Sequence, residues 1–75
     1  MSNYYTKQEL ENWLITAPEH ELRSERERLL EVQGAFYKAL NEVEPQPANT
    51  RRVILECIDD LSEKMDMIYH KIMAS

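Results

Sequence analysis

One apolar seam constrains the fold of this chain more than any other feature. Between residues 54 and 72, large apolar side chains are spaced 4, 3, 4, 3 and 4 residues apart. They are Ile54, Ile58, Leu61, Met65, Ile68 and Ile72. This spacing is the heptad pattern of a helix that packs along its whole length against another helix. We therefore predict a helix over 50–73, capped by Asn49 or Thr50, whose seam belongs to the core.

A second long helix is predicted upstream of a proline-containing break. The segment EPQPAN at 44–49 ends a helix, because a residue that precedes proline avoids the helical conformation. Thr16 as N-cap and Pro18 in the first turn indicate that this helix starts near residue 17. Apolar residues recur every seven positions at Leu22, Leu29, Phe36 and Val43. We predict a helix over 17–43, and the short connector at 44–49 makes an antiparallel hairpin of the two long helices.

A short helix precedes the hairpin. Thr6 and Glu9 have the spacing of a capping box, which predicts a helix over 7–15 with an apolar stripe of Leu10, Trp13 and Leu14. One Gly and three Pro in 75 residues also favour helix. The predicted fold is a single all-α domain over 1–75, a short N-terminal helix plus a long antiparallel hairpin, assembled as a dimer that resembles a four-helix bundle.

The predicted hairpin has more apolar surface than its shared seam can bury. The candidates for contact with a partner or a second copy are Trp13, Leu30, Tyr37, Leu55, Met67, Tyr69 and Met73. A chain this small buries a limited core, and two long amphipathic helices commonly complete it by self-association. We therefore expect a homodimer. The alternatives are a docking surface for a different protein and single exposed apolar residues on a monomer.

Composition and charge narrow the partners and the compartment. Nine Lys and Arg against 14 Asp and Glu give a net charge of −5, which disfavours nucleic acid as a partner. A single cysteine, Cys57, excludes an intramolecular disulfide and favours the reducing cytoplasm. The first residues lack the features of a signal peptide, and no apolar run has the length of a membrane span. We expect a cytoplasmic protein that does not bind membranes.

Acidic residues form a stripe on the last predicted helix. The acidic stripe consists of Glu56, Asp59, Asp60 and Glu63. Such a stripe is usually the solvated face of an amphipathic helix. The functional alternative is a contact strip for a basic protein partner.

The residues that carry catalysis or bind metals do not occur in a usable pattern. Cys57 has acidic neighbours, which raise a thiol pKa and disfavour a nucleophile, so we expect a small core or interface residue. His20 and His70 stand alone, and no metal-ligand spacing or glycine-rich phosphate loop is present. We expect no enzyme, no metal, no cofactor and no small-molecule substrate.

The segment NTRRVILECIDDL carries a family resemblance. It resembles the YmgB/AriR family of small bacterial biofilm and acid-resistance regulators, also called two-component-system connector proteins. The matching positions are Asn49, Arg51, Val53, Ile54, Leu55, Ile58 and Leu61. Upstream, ELENWL is similar to the family's short aromatic-bearing first helix. Ser62, where the family has Glu, and the proline-built loop depart from its pattern. The resemblance implies an all-α homodimer that acts through protein contacts, with an indirect or weak connection to DNA.

These observations support three hypotheses about function. The first is a small non-catalytic regulatory or adaptor protein, a connector in a bacterial signalling, biofilm or stress pathway. The second is a phage- or plasmid-type inhibitor that blocks a nucleic-acid-binding protein through the acidic stripe. The third is a helical dimer that itself binds nucleic acid weakly.

Overall fold

The computed structural model describes residues 5–42 and 47–74, and three helices make up most of this part of the chain. They are α1 (Lys7–Leu14), α2 (Glu19–Glu42) and α3 (Ala48–Ala74). The described ranges contain no strand, which confirms the all-α class. The helix bounds lie within two residues of the predicted 7–15, 17–43 and 50–73. Val43 and the first residues of the predicted loop lie outside the described residues.

The start of α1 is fixed by the predicted capping box. The Glu9 backbone N–H donates to Thr6 Oγ1 at 3.1 Å, and the Thr6 backbone N–H donates to Glu9 Oε1 at 3.2 Å. Each side chain thereby satisfies a backbone donor that has no partner within the helix. The capping-box prediction is confirmed.

The turn between α1 and α2 differs from the prediction. The Thr16 and Ala17 backbone N–H groups both donate to the Trp13 carbonyl, so Thr16 closes the end of α1. The first carbonyl of α2 is that of Pro18, which accepts from Leu22 at 3.1 Å. The predicted N-cap role of Thr16 is therefore wrong. Pro18 suits this position because its missing N–H has no role there.

α3 also begins earlier than predicted. The Arg51 backbone N–H donates to the Pro47 carbonyl at 3.1 Å, and Ala48 is the first helical residue. Asn49 and Thr50 therefore lie in the first turn, and the prediction that one of them caps α3 is wrong. Pro47 replaces them because a proline at a helix start loses no hydrogen bond.

Contacts between α2 and α3 show that the two helices run antiparallel. Gln33 Nε2 donates to the Ile58 carbonyl at 3.0 Å and to Ser62 Oγ at 2.7 Å. Nearer the start of α2, the Arg26 guanidinium lies 5.3 Å from the centre of the Tyr69 ring. A lower number in α2 thus pairs with a higher number in α3, as in a hairpin.

The core lies along the predicted seams. Its buried members are Tyr5, Leu10, Leu22, Leu29, Leu61, Ile68 and Ile72. Ile58 is buried as well, whereas Ile54 and Met65 are half-buried. Leu10 and Ile68 are fully enclosed, so α1 completes the core where it lies against the hairpin. The seam predictions for the described parts of α2 and α3 are confirmed.

Candidate interaction surface

α1 and Tyr5 cover one face of the hairpin. The covered face consists of Glu25, Arg28 and Val32 of α2 and Cys57, Asp60 and Lys64 of α3. Each set is spaced by three and four residues, which places its members on one side of a helix. Tyr5 spans both sets, because its hydroxyl reaches α2 and its backbone carbonyl accepts from α3.

The opposite face of the hairpin has no cover within the described part of the chain. The open face consists of Leu30, Tyr37, Leu55, Tyr69 and Met73, which are 56%, 49%, 43%, 45% and 66% exposed. Leu30 and Tyr37 share a side of α2 with Arg26 and Gln33, at spacings of four, three and four residues. The contacts of Arg26 with Tyr69 and of Gln33 with Ser62 join this side to the matching side of α3.

The open face is large for the surface of a small protein. Its five side chains expose on the order of 500 Å² of largely apolar surface, near the upper end for the largest patch of a monomer. The molecule measures 44 × 20 × 19 Å, so one full face of the hairpin offers on the order of 900 Å². A typical specific protein interface takes about 800 Å² from each partner. The side of the hairpin that carries the open face is therefore large enough for one protein contact, and the open face supplies the apolar part of it.

The structure divides the seven candidate contact residues into two groups. Five of them form the open face. Trp13 and Met67 are half-buried and pack against the core cluster, so most of their surface has a partner within the chain. Two exposed apolar residues that were not candidates, Ile15 and Val53, lie away from the open face and are 74% and 55% exposed.

A polar network holds Tyr5 and α1 to the covered face. The Tyr5 hydroxyl donates to Glu25 Oε2 at 2.5 Å, and Arg28 donates two hydrogen bonds to Glu25 at 2.7 and 2.8 Å. On the α3 side, Lys64 Nζ donates to the Tyr5 carbonyl at 2.6 Å and lies 2.6 Å from Asp60. Lys7 and Glu63 form a further ion pair between α1 and α3.

The electrostatics of this network indicate a structural role. The hydrogen bond from Arg28 holds the pKa of Glu25 below its usual value, and the bond from Tyr5 acts in the same direction. Burial raises the pKa of Tyr5, and the neighbouring Glu25 carboxylate adds to this effect. Tyr5 therefore stays neutral and Glu25 stays charged near neutral pH, which suits a fixed hydrogen bond better than proton transfer.

Lys64 is the network member that sequence reasoning missed most clearly. It is 6% exposed and its ammonium lies 5.0 Å from the centre of the Tyr5 ring. Its position three residues after Leu61 and four before Ile68 places it beside the seam, and Asp60 four residues earlier supplies a counter-ion. The Asp60–Lys64 spacing was the available signal. The carbonyl of Tyr5, 59 residues away, could not be anticipated from spacing.

A cavity of about 150 Å³ opens on the covered face, toward the connector end of the hairpin. Its apolar lining comes from Leu29, Val32, Phe36, Cys57 and Leu61, and the remaining lining residues are Tyr5, Arg28, Asp60 and Lys64 of the polar network. Cys57 is half-buried here, in agreement with its expected role as a small packing residue.

The acidic stripe is largely engaged in ion pairs within the chain. Asp60 contacts Lys64, Glu63 contacts Lys7, and Glu56 lies 3.9 Å from Arg52. Asp60 is half-buried, whereas Glu56, Asp59 and Glu63 are exposed. These pairs reduce the negative potential that the stripe presents to a basic partner.

The described residues hold no group of three or more His, Cys, Asp or Glu side chains that could bind a metal ion. His20 and His70 are both exposed, and the ring of His70 lies edge-on to that of Tyr69, with centroids 6.1 Å apart. Across the two described stretches, none of the helices combines the length and the apolar character needed to cross a bilayer.

No protein-family model, curated protein or solved structure matches this chain.

Proposed function

We propose that this protein is a small non-catalytic regulatory or adaptor protein that acts as a helical homodimer through protein–protein contacts. The observation that carries the proposal is the open face. It is apolar, extends along the hairpin and lies on a side of the hairpin that is large enough for one protein contact. Exposing such a surface to water is unfavourable, so a protein partner would stabilise the chain by covering it.

The acidic-stripe inhibitor is the weaker proposal. An inhibitor that imitates nucleic acid needs carboxylates directed at its target, whereas three of the four stripe residues contact cations of this chain. The two proposals make different predictions for charge reversal. Glu56→Lys combined with Asp59→Lys should leave adaptor binding intact and abolish inhibition, and Asp60 is kept because it contacts buried Lys64.

The biological setting is proposed from the resemblance to the YmgB/AriR regulators. On that basis we place the protein in the cytoplasm of a bacterium, as a connector in a signalling, biofilm or stress pathway. Direct binding of nucleic acid is the least favoured proposal, because the net charge of −5 opposes contact with phosphates.

Photo-cross-linking in the host cell tests the adaptor function. A photoreactive phenylalanine analogue replaces Tyr37 on the open face, Val53, which lies one helical turn before the cavity-lining Cys57, or Glu31 as an exposed control. Because the homodimer would cover Tyr37, the proposal predicts an adduct with this chain from Tyr37, an adduct with a different protein from Val53, and none from Glu31. Adducts with this chain alone, or equal adducts from all three positions, would contradict the adaptor function.

A further inference from the structure

The apolar residues of the open face follow heptad spacing in both helices. Leu55 and Tyr69 are two heptads apart on α3, with the polar Ser62 midway between them. Leu30 and Tyr37 are seven residues apart on α2. Heptad spacing keeps side chains in line along a helix, which is the arrangement of a seam between packed helices. Because the core seams are separate from these positions, the open face is a second seam with no helix of the described chain against it.

Four of the five residues of the open face are also nearly symmetric about one point, whereas the position symmetric to Met73 is occupied by Arg51. Gln33 and Ser62 are hydrogen-bonded at 2.7 Å, so they lie at the same level of the hairpin. Leu55 and Tyr69 lie seven residues on either side of Ser62, about 10 Å away in each direction. Leu30 and Tyr37 lie three and four residues on either side of Gln33. A rotation of 180° about an axis at this level, perpendicular to the helices, would exchange the positions of Leu55 and Tyr69 and those of Leu30 and Tyr37.

We propose that the open face is the interface of an isologous homodimer whose two-fold axis passes at the Gln33–Ser62 level, perpendicular to the helices. The axis brings Leu55 against Tyr69 of the second copy and Leu30 against Tyr37 of the second copy. Isologous two-fold contacts require a surface that is complementary to itself, and this spacing provides one. The proposal rests on the proposed function for its premise that a protein covers this face. It identifies that protein as a second copy of the chain and states which residues of the two copies are in contact.

Two further observations fit a second copy as the occupant. The whole side of the hairpin that carries the open face offers on the order of 900 Å², close to the roughly 800 Å² that each partner contributes to a specific dimer. Gly34, next to Gln33 and therefore close to the axis, is exposed, and a Cβ added there would meet nothing within 4 Å. The fold of one chain does not require glycine at this position, whereas its missing side chain lets two α2 helices approach closely at the axis.

Distances between spin labels locate the axis directly. With Cys57→Ala as background, single cysteines are placed at Glu56, Glu63 and His70, which are exposed and outside the open face. An axis at the level of Ser62 offsets the two labels of a dimer along the helix by about 18, 3 and 24 Å, respectively. The label-to-label distance should therefore be shortest at position 63 and longer at both 56 and 70. The dipolar signal should disappear in each labelled variant when Tyr69→Asp is added.

Each other outcome overturns the proposal. Three similar distances would indicate an axis parallel to the helices, and a steady increase from 56 to 70 would place the axis elsewhere. Absence of any dipolar coupling at high protein concentration would show that the second copy does not bind. The measurement uses purified protein, so it can fail while photo-cross-linking still finds a different protein. Conversely, the predicted distances without a cross-link to a different protein would retain the dimer and reject the adaptor function.

Discussion

The two faces of the hairpin are stabilised in different ways. On the covered face, Tyr5 bridges two ion pairs, Glu25–Arg28 and Asp60–Lys64, and a small cavity remains beside them. On the open face, apolar side chains lie toward solvent around one hydrogen bond between Gln33 and Ser62. The covered face is thus completed by its own chain, whereas the open face is apolar and incomplete.

The length of α1 explains this difference. α1 has eight residues and therefore spans about 12 Å, whereas the molecule is 44 Å long. It can complete only part of one face. The chain satisfies that part with capping, hydrogen bonds and the buried Leu10, and of the seven large apolar residues that are exposed in the described part of the chain, five lie on the other side. An unfilled apolar face of this kind is most simply completed by a second copy.

The largest predicted effect separates the core from the open face at two adjacent positions. Ile68 is fully buried, so Ile68→Asp places an unpaired charge in the seam and should cost about 4 kcal/mol or more. That cost approaches the total stability of a domain this small, so the variant should be unfolded by circular dichroism at about 25 °C. A variant with native helicity and unchanged thermal stability would show that the seam is assigned incorrectly.

The neighbouring substitution should act on assembly and leave the fold intact. Tyr69 is 45% exposed and contacts Arg26, and Tyr69→Asp exchanges a cation–π contact for an ion pair. We expect native helicity and a change in the free energy of unfolding of the monomer within about 1 kcal/mol. Sedimentation should show a monomer at concentrations where the unsubstituted chain is a dimer. A folded dimer would remove Tyr69 from the interface.

The same contrast explains what could be predicted from sequence. The seam of α3 and the capping box at Thr6 depend on local spacing, and both were predicted correctly. The helix starts at Glu19 and Ala48, each directly after a proline, were not, because several residues nearby were plausible caps. The division of candidates between Trp13, which is partly covered, and Tyr69, which is not, depends on where α1 folds back. That is set by distant partners such as Lys64 and the Tyr5 carbonyl.

A substitution of intermediate expected effect tests the polar network on the covered face. Arg28→Met removes the hydrogen bonds that are the main cause of the lowered pKa of Glu25. Because the folded-state pKa lies below the ordinary 4.5, this contribution is present above that value and is lost as pH falls through the folded-state pKa. The variant should be less stable by about 1 kcal/mol at about pH 7, since both groups are partly exposed. Urea denaturation should show that the difference in free energy of unfolding between the unsubstituted chain and the variant becomes smaller below about pH 4.

A difference in free energy of unfolding that does not change with pH would contradict the assigned role of Glu25. Arg52→Met is the matched control, because Arg52 contacts Glu56 at 3.9 Å in an exposed pair that lies on neither face. Exposed pairs of this kind contribute little, so this control should change stability by less than about 0.5 kcal/mol at either pH.

The smallest predicted effect has opposite signs for the fold and for the dimer. Gly34→Ala should stabilise the isolated chain by about 0.5–1 kcal/mol, because alanine favours helix and no atom stands in its way. At the proposed axis, the added methyl group should weaken the dimer. Urea denaturation in the monomeric Tyr69→Asp background reports the first effect, and dilution of the otherwise unsubstituted chain reports the second. Tighter association of Gly34→Ala would place the axis away from α2.

Sedimentation equilibrium of the purified chain at micromolar concentration tests the central claim most directly, that the open face is covered by a second copy. The expected mass is about twice the 8.9 kDa of one chain, returning to a single chain on dilution or with Tyr69→Asp. A mass of 8.9 kDa across the whole concentration range would contradict the claim.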